Sequence, residues 1–236
     1  ISENIVQFFN RSTLLKGKKA VVTSGPSQEK IDPVRYISNF SSGIQGYEIA
    51  KALRNAGART TLISGPTKLD QPLGKKFKKA ETGKEFLNHS LTELPADIYI
   101  SVAAIADWKI ENISKQKIKK NKQSNITLKF SKNTDVLYEV SRNNMRPGLV
   151  IGFAAETENL VENAKKKLLK KKCDWIIANI VSDKLGFDEI DNKVTIVKED
   201  MIIEWPSLSK LNIAEKLVLE ISEYFSKVKK EFLCQK

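Results

Sequence analysis

The chain is poor in the side chains that many enzymes use for metal binding or nucleophilic attack. It has one histidine, His89, and two cysteines, Cys173 and Cys234, in 236 residues. A His-rich zinc site is therefore excluded, and a serine or cysteine triad has one candidate base, in a segment without a nucleophile motif. The cysteines have neither the spacing of metal ligands nor the density of a disulfide framework, so the expected setting is reducing and cytoplasmic. No apolar run approaches the length of a membrane helix, about 20 residues. The N-terminal "ISENIVQFF" lacks the basic and apolar regions of a secretory leader, and it lacks an initiator Met. The expectation is an excised piece of a longer chain. Arginine is scarce too. It supplies six of the 40 basic residues, so lysine carries most of the formal charge of +12. These lysines form no aromatic-interleaved RNA-binding motif and read as solvated faces suited to small anionic substrates, not as a nucleic-acid surface. Catalysis here has to work mainly by positioning and by charge.

A hydrophobic fraction of 41% is enough for a core. The length fits one large domain with appendages: a short helix and linker over 1–17, a nucleotide-binding body over 18–230 and a tail over 231–236. Apolar runs alternate with amphipathic segments. "KAVVTS" (19–24) reads as a buried strand, and 44–57 as a helix with Ile49, Ala52 and Leu53 inward and Gly57 as its stop. Further strands are expected at 59–65, 96–103, 125–130, 148–153 and 174–181, and helices at 84–93, 134–144, 158–172 and 209–228. Residues 193–205 resemble a C-terminal β-hairpin turning near Glu199-Asp200. Strands separated by helices indicate an α/β fold, a doubly wound, mostly parallel, Rossmann-like sheet with helices on both faces. Ligands of such sheets bind outside the C-terminal strand ends, which selects the loops after residues 24, 65, 103, 153 and 179.

The first of these loops is long. After Gly25-Pro26 the chain runs through Asp32-Pro33-Val34-Arg35 to "SNFSSGIQG", where Gly43 and Gly46 allow close backbone approach at a helix N-terminus. Arg35 suits bidentate contact with a phosphate or carboxylate, or else forms a salt bridge. Asn39 is a neutral donor and acceptor beside the glycines, or an Asx-type cap.

These residues also carry a resemblance. "IDPVRYISNFSSGIQGYEIAKALRNAGARTTLISGPT", "VAAIADWKIENISKQKIKK", "IGFAAETENLVENAKKKLLKKKCDWIIANIV" and "GFDEIDNKVTIV" occur in this order and span nearly everything from 18 to 230. Together they resemble the phosphopantothenate–cysteine ligase domain of coenzyme A biosynthesis. The likeness is closest to the bacterial ligase half that follows a flavin-containing decarboxylase.

The resemblance implies CTP-dependent condensation of 4′-phosphopantothenate with L-cysteine through an acyl-cytidylate, with Mg²⁺ held on the nucleotide phosphates and no protein metal ligand assigned. It implies that Asn39 contacts the acyl-phosphate, with Arg35, Ser41 and Gly43 also on the substrate. Lys117, the first lysine of "KIKK", stabilises the phosphate during transfer; in isolation it is an exposed lysine in a lysine-rich strip. Gly25, Ala103, Ala104 and Asp107 are implied at the nucleotide. So is the "SKNTD" loop, Lys132, Asn133, Thr134 and Asp135, which has threonine where the family has proline. Phe153 is implied near the cytosine, or is core. Lys167 and Lys171 lie four apart on one helix face, toward the triphosphate or toward solvent. Pro26 stands in a turn that is usually Gly-Gly-Thr and removes one N–H donor. The family implies a homodimer with sites completed across the interface.

ATP in place of CTP remains open at this stage. A dinucleotide-binding Rossmann enzyme is disfavoured by the absent Gly-x-Gly-x-x-Gly turn and by a second strand ending "ISGPT" without an acidic residue. An RNA-binding module would show salt-sensitive RNA binding indifferent to Asn39.

Overall fold

A computed structural model describes residues 12–72, 76–119, 125–181 and 191–234. The strands in chain order are β1 Lys19–Ser24, β2 Gln28–Asp32, β3 Arg35–Ser38, β4 Arg59–Ser64, β5 Lys76–Lys79, β6 Ile98–Ser101, β7 Trp108–Ile110, β8 Phe130–Lys132, β9 Leu149–Glu156, β10 Trp175–Ile180, β11 Asp191–Lys198 and β12 Ile202–Ser209. The helices are α1 Ile44–Asn55, α2 Gly83–Thr92, α3 Val136–Ser141, α4 Leu160–Lys171 and α5 Lys210–Cys234. Eight strands form one sheet in the order β12-β11-β10-β9-β6-β1-β4-β5. It is parallel except at β11 and β12, where the expected hairpin extends the sheet edge by antiparallel pairing with β10.

The central strands are apolar throughout because helices cover both faces. Side chains alternate across the sheet, and the core divides accordingly. Val22, Ile100, Ile151 and Ile177 belong to one layer with Ile49 and Leu53 of α1 and Ile213 and Leu217 of α5. Their immediate neighbours Val21, Tyr99, Val150 and Ile176 belong to the other, with Phe86 of α2, Val140 of α3 and Leu168 of α4. Each fully buried aliphatic side chain of this kind contributes about 1.5–3 kcal/mol.

α1 ends as expected, with Gly57 at φ 92° just past its cap. The packed body begins earlier than Lys18, since Leu15 is buried and its N–H donates to the Ala56 carbonyl at 2.8 Å. Residues 1–11 of the expected N-terminal helix and residues 235–236 of the expected tail lie outside the described residues. The last helix continues to Cys234, there being no glycine or proline after residue 209 to stop it.

The expected strand over 125–130 is corrected to Phe130–Lys132. Its alternating Ile126 and Phe130 are both exposed, so the alternation marks no buried face, and pairing is limited to the three residues of β7. The helix over 134–144 shortens to six residues because Asp135 is its cap and accepts from the Tyr138 N–H at 3.1 Å. The β2–β3 hairpin inside the long first loop, the edge strand β5 and the short strand β7 have no expected counterparts.

Candidate functional site

The strand order reverses between β1 and β6: the chain leaves β1 for β4 and β5, then returns to β6 and proceeds to β9 and β10. In an open α/β sheet this switch point leaves a crevice at the C-terminal strand ends. A cleft of ≈ 640 Å³ lies there, lined by the ends of β1, β6, β9 and β10 and by the 38–46 loop. Four of the five selected loops thus converge. The fifth, after β4, backs this loop and lines a separate groove with Phe40, Ser41 and Ile44.

A second compartment of ≈ 420 Å³ adjoins the cleft, formed by 132–137 and the basic face of α4. The two share Ala103, Ile105, Asp107, Phe153 and Lys167 as a common wall. Such a cavity can hold two ligands in contact.

The glycines of the first loop shape the near wall. Gly25 and Gly43 have φ of 71° and 78°, and a Cβ on either would stand 2.9 or 2.7 Å from the Thr67 methyl. Only glycine meets both demands. The Ser24 hydroxyl donates to the Gly43 carbonyl at 2.7 Å and pins this loop to the end of β1. Ser41 accepts from the Gly43 N–H at 3.3 Å. Asn39 hangs at the mouth, its Nδ2 donating to the Ile105 carbonyl at 3.2 Å. Asn39, Ser41 and Gly43 are therefore brought together on the cleft.

Pro26 forms a bridge with Ala104, whose N–H donates to the Gly25 carbonyl at 3.0 Å. The Ala103 N–H points to the Thr23 hydroxyl at 3.3 Å. The 103–104 turn is thus fixed by β1, and its two methyl side chains leave ligand room against backbone.

The 132–135 loop is held by part-buried bonds. Asn133 Nδ2 donates to Glu29 Oε1 and to the Ala106 carbonyl, both at 2.8 Å, and its N–H donates to the Asp107 carbonyl at 2.8 Å. Asn133 therefore holds the loop and Asp107 in register. Lys132, Thr134 and Asp135 line the second compartment beside it.

The structure selects among the lysines of α4. Lys165, Lys166 and Lys172 are exposed, whereas Lys167 and Lys171 are half-buried toward the cavity. Lys170 is exposed but reaches the second compartment as well. Lys167 Nζ donates to the Phe153 carbonyl at 2.7 Å, and Lys171 pairs with Asp135. Burial pushes the Lys167 ammonium below the ordinary lysine range, and the Lys171 charge pushes the same way. A cation desolvated in this manner gains most from an anionic ligand. Cys173 is no nucleophile, since burial pushes its thiol up to about 11.

Two expected residues stand elsewhere. Lys117 is exposed on the 111–119 segment and lines neither compartment. Arg35 also lies outside both linings: its Nε donates to Asp32 Oδ2 at 3.0 Å and its Nη2 to the Ile118 carbonyl at 2.9 Å. The salt bridge that the residues allowed is the arrangement found in the single chain.

The cleft also holds residues that the sequence left unassigned, among them Gln45, Asn179, Asn192 and Lys210. Gln45 Nε2 donates to the Lys210 carbonyl at 3.1 Å across 165 positions of sequence, so no local pattern marks the pair. Asn179 was within reach, because it lies at the end of a strand whose loop had been selected. Residues 186–190 of the last resembling block lie outside the described residues.

The profile of the DNA/pantothenate metabolism flavoprotein C-terminal domain matches residues 15–225. The chain belongs to this family. It is 38% identical over 216 residues to the coenzyme A biosynthesis bifunctional protein CoaBC of Borreliella burgdorferi, covering 91% of this chain and 55% of that protein. Against CoaBC of Bacillus subtilis the identity is 37% over 230 residues, covering 93% and 56%. The chain thus spans about half the length of the curated relatives it matches. Among solved structures, the C-terminal domain of a CoaBC superposes with a TM-score of 0.77 at 34% identity, covering 92% of this chain and all of that one. A Cab2 variant in complex with phosphopantothenate-cysteine shares the fold, with a TM-score of 0.69 at 14% identity over 96% and 92% of the two chains. The α/β, Rossmann-like assignment and the resemblance to the C-terminal part of this family both stand.

Proposed function

We propose that this chain is a phosphopantothenate–cysteine ligase acting in coenzyme A biosynthesis, with CTP as the activating nucleotide. The observation that carries the reading is the pair of compartments sharing one wall, with neutral amide and small backbone groups on one side and Lys167 and Lys171 on the other. A carboxylate and a nucleotide α-phosphate have to meet at such a wall. The names of the relatives, and of the complex with phosphopantothenate-cysteine, favour the same substrates.

In the first step a carboxylate oxygen of 4′-phosphopantothenate attacks the α-phosphorus of CTP. The α–β phosphoanhydride bond breaks, pyrophosphate leaves, and an acyl-cytidylate forms. In the second, the neutral amine of L-cysteine attacks the acyl carbon, CMP leaves with the bonding electron pair, and the nitrogen gives up a proton. Lys167 and Lys171 would hold the triphosphate, with Lys117 joining them at the phosphate under transfer. Asn39 would donate to the carbonyl oxygen as charge develops there, without adding charge of its own. Gly25, Ala103 and Ala104 admit the ligands against backbone, Asp107 and the 132–135 loop hold the nucleotide, and Phe153 lies against the base. Ser41 and Gly43 contact the acyl substrate, as would Arg35 of a second copy with its bond to Asp32 kept.

Among the described residues no group of three or more His, Cys, Asp or Glu side chains could hold a metal. Mg²⁺ is therefore proposed as the companion of the nucleotide phosphates, whose charge it offsets. A homodimer is proposed too. Val34, Tyr36, Trp108, Ile113 and Phe130 are all exposed on the two small antiparallel sheets and the β7–β8 connection, apolar side chains that a second copy would cover. An upstream decarboxylase in the full-length protein and a cytoplasmic setting complete the proposal.

Pyrophosphate release with 4′-phosphopantothenate, Mg²⁺ and either CTP or ATP tests it, with and without cysteine. Release with CTP, and CMP with a new thiol product only when cysteine is added, is the expected outcome. Release with ATP at equal efficiency would overturn the nucleotide choice, and silence from the folded chain with both would overturn the ligase assignment.

A further inference from the structure

Asp32 has no part in the ligation scheme, yet it is among the most heavily bonded groups of the chain. Its carboxylate is buried and accepts from the Val34 and Arg35 N–H groups, each at 2.9 Å, from the Arg35 guanidinium, and from the Ile118 N–H at 3.1 Å. The last bond crosses 86 positions of sequence. Arg35 then returns to the same peptide neighbourhood by donating to the Ile118 carbonyl at 2.9 Å. Both backbone polar groups of Ile118 are thus gripped by one ion pair.

The local backbone explains how a carboxylate comes to stand there. Regular alternation would put Glu29 and Ile31 on the same face of β2. The pairing of β2 with β3 shifts between Lys30 and Asp32, and the shift turns Asp32 inward beside Glu29. The two acids then hold two different segments. Glu29 bonds Asn133 of the 132–135 loop, and Asp32 bonds Ile118, next to Lys117. A second tether, from the Ser114 N–H to the Ile31 carbonyl at 3.1 Å, fixes the other end of the short span that carries Lys117. Apolar burial does little here: Lys115, Gln116 and Lys117 are all exposed, and Ile113 is 59% exposed. The polar clasp is what holds the span.

We propose that Asp32, through Arg35 and the Ile118 peptide, is a positioning residue for Lys117: it sets where that ammonium stands relative to the phosphate being transferred. The clasp itself is independent of the ligase reading, whereas its chemical purpose rests on it. The Arg35 fork foremost, and the Val34 and Ile118 N–H bonds with it, hold the Asp32 carboxyl far below the ordinary carboxylate range against the opposing effect of burial.

Asp32→Asn tests both halves. The amide nitrogen would replace either Oδ2, facing both the guanidinium and the Ile118 N–H, or Oδ1, facing the Val34 and Arg35 N–H groups; each set needs an acceptor. In the unliganded chain, trypsin cleavage after Lys115, Lys117 and Lys119 should rise about tenfold, the effect of losing one charge-assisted bond. Pyrophosphate release should fall about 100-fold, the scale of a misplacement near 1 Å, with KM for cysteine unchanged. In a Lys117→Ala background the same substitution should cost almost nothing more, because a residue acting through Lys117 has nothing left to position. Additive losses would overturn the coupling to Lys117, and an unchanged cleavage pattern would overturn the clasp. Should Asp32→Asn fail to fold, Arg35→Lys, which keeps the cation and loses the fork, is expected to show the same pattern at smaller amplitude. A wild-type chain silent with CTP and with ATP would remove the ligase reading, and the cleavage rates alone would then decide the clasp.

Discussion

Replacing Lys167 by Met separates what this side chain does for a ligand from what it costs the fold. The ammonium is half-buried, it donates to the Phe153 carbonyl at 2.7 Å, and the Lys171 ammonium lies close enough to oppose its charge. Met keeps the stem and its packing while removing the buried cation. One neutral-acceptor bond of about 1 kcal/mol is lost, and desolvation and repulsion of similar size are relieved. The thermal midpoint of the unliganded chain should therefore stay within about 3 °C of wild type. Nucleotide binding should behave differently. A charge-assisted bond to a phosphate is worth about 1.5–3 kcal/mol, so affinity for CTP should fall about 10- to 150-fold. Thermal denaturation with and without CTP, together with calorimetric titration, reads both quantities on one sample. Unchanged CTP affinity would refute the placement of phosphate at α4. A large fall in stability without ligand would refute the claim that this burial is costly.

Lys171→Met should differ, because it breaks an ion pair to the Asp135 cap and is expected to lower stability as well as nucleotide affinity; denaturation midpoints of the two variants compare them directly. Gly46→Ala would set a Cβ 2.4 Å from Ser24 Oγ and 2.5 Å from Ser24 Cβ, forcing α1 off the end of β1, with an expected loss of about 1–3 kcal/mol in urea denaturation. Asn39→Ala should slow the second step about 100- to 1,000-fold, so that pyrophosphate appears before CMP in a rapid-quench time course. Stability should be level above about pH 5 and decline as pH falls. Burial raises the Asp97 carboxyl, but the Lys19 N–H and the Lys18 ammonium outweigh it and hold it low, so its folded value lies beneath the unfolded one and its contribution is lost only on acidification. Asp97→Asn should make this acid limb shallower in a series of melting curves, with Asp32 and Glu93, also held low, keeping the rest.

The fold class was legible because it rests on short-range rules. Val21-Val22, Tyr99-Ile100, Val150-Ile151 and Ile176-Ile177 are adjacent apolar pairs, and adjacent apolar residues in strands require cover on both faces. The helices between them supply that cover. The rule that ligands sit at strand ends then placed four of five loops on one cleft without any knowledge of distance. The shorter pieces were hidden for a physical reason as well. β2 and β3 carry a charged or an exposed residue at six of their nine positions, so no apolar period announces them, and they are held by bonds to Glu81, Gly83 and Ile118 that are remote in sequence.

Within the site the division is similar. Composition limited the chemistry, since one histidine and a large excess of lysine leave charge and positioning as the available means. Residue type alone could not say which lysines serve. Six stand within 165–172, and only the packing of α4 on β9 and β10 turns Lys167 and Lys171 toward the cavity and leaves the others at the surface or its rim. The same holds for Arg35, whose sequence context suits a phosphate and a carboxylate equally; the inward turn of Asp32 decided for the carboxylate in the isolated chain. Periodicity and strand-end loops, being local, are written in the sequence itself. Which cation meets which partner depends on tertiary bonds such as that of Arg35 to the Ile118 carbonyl, 83 positions away, and only the folded chain sets those.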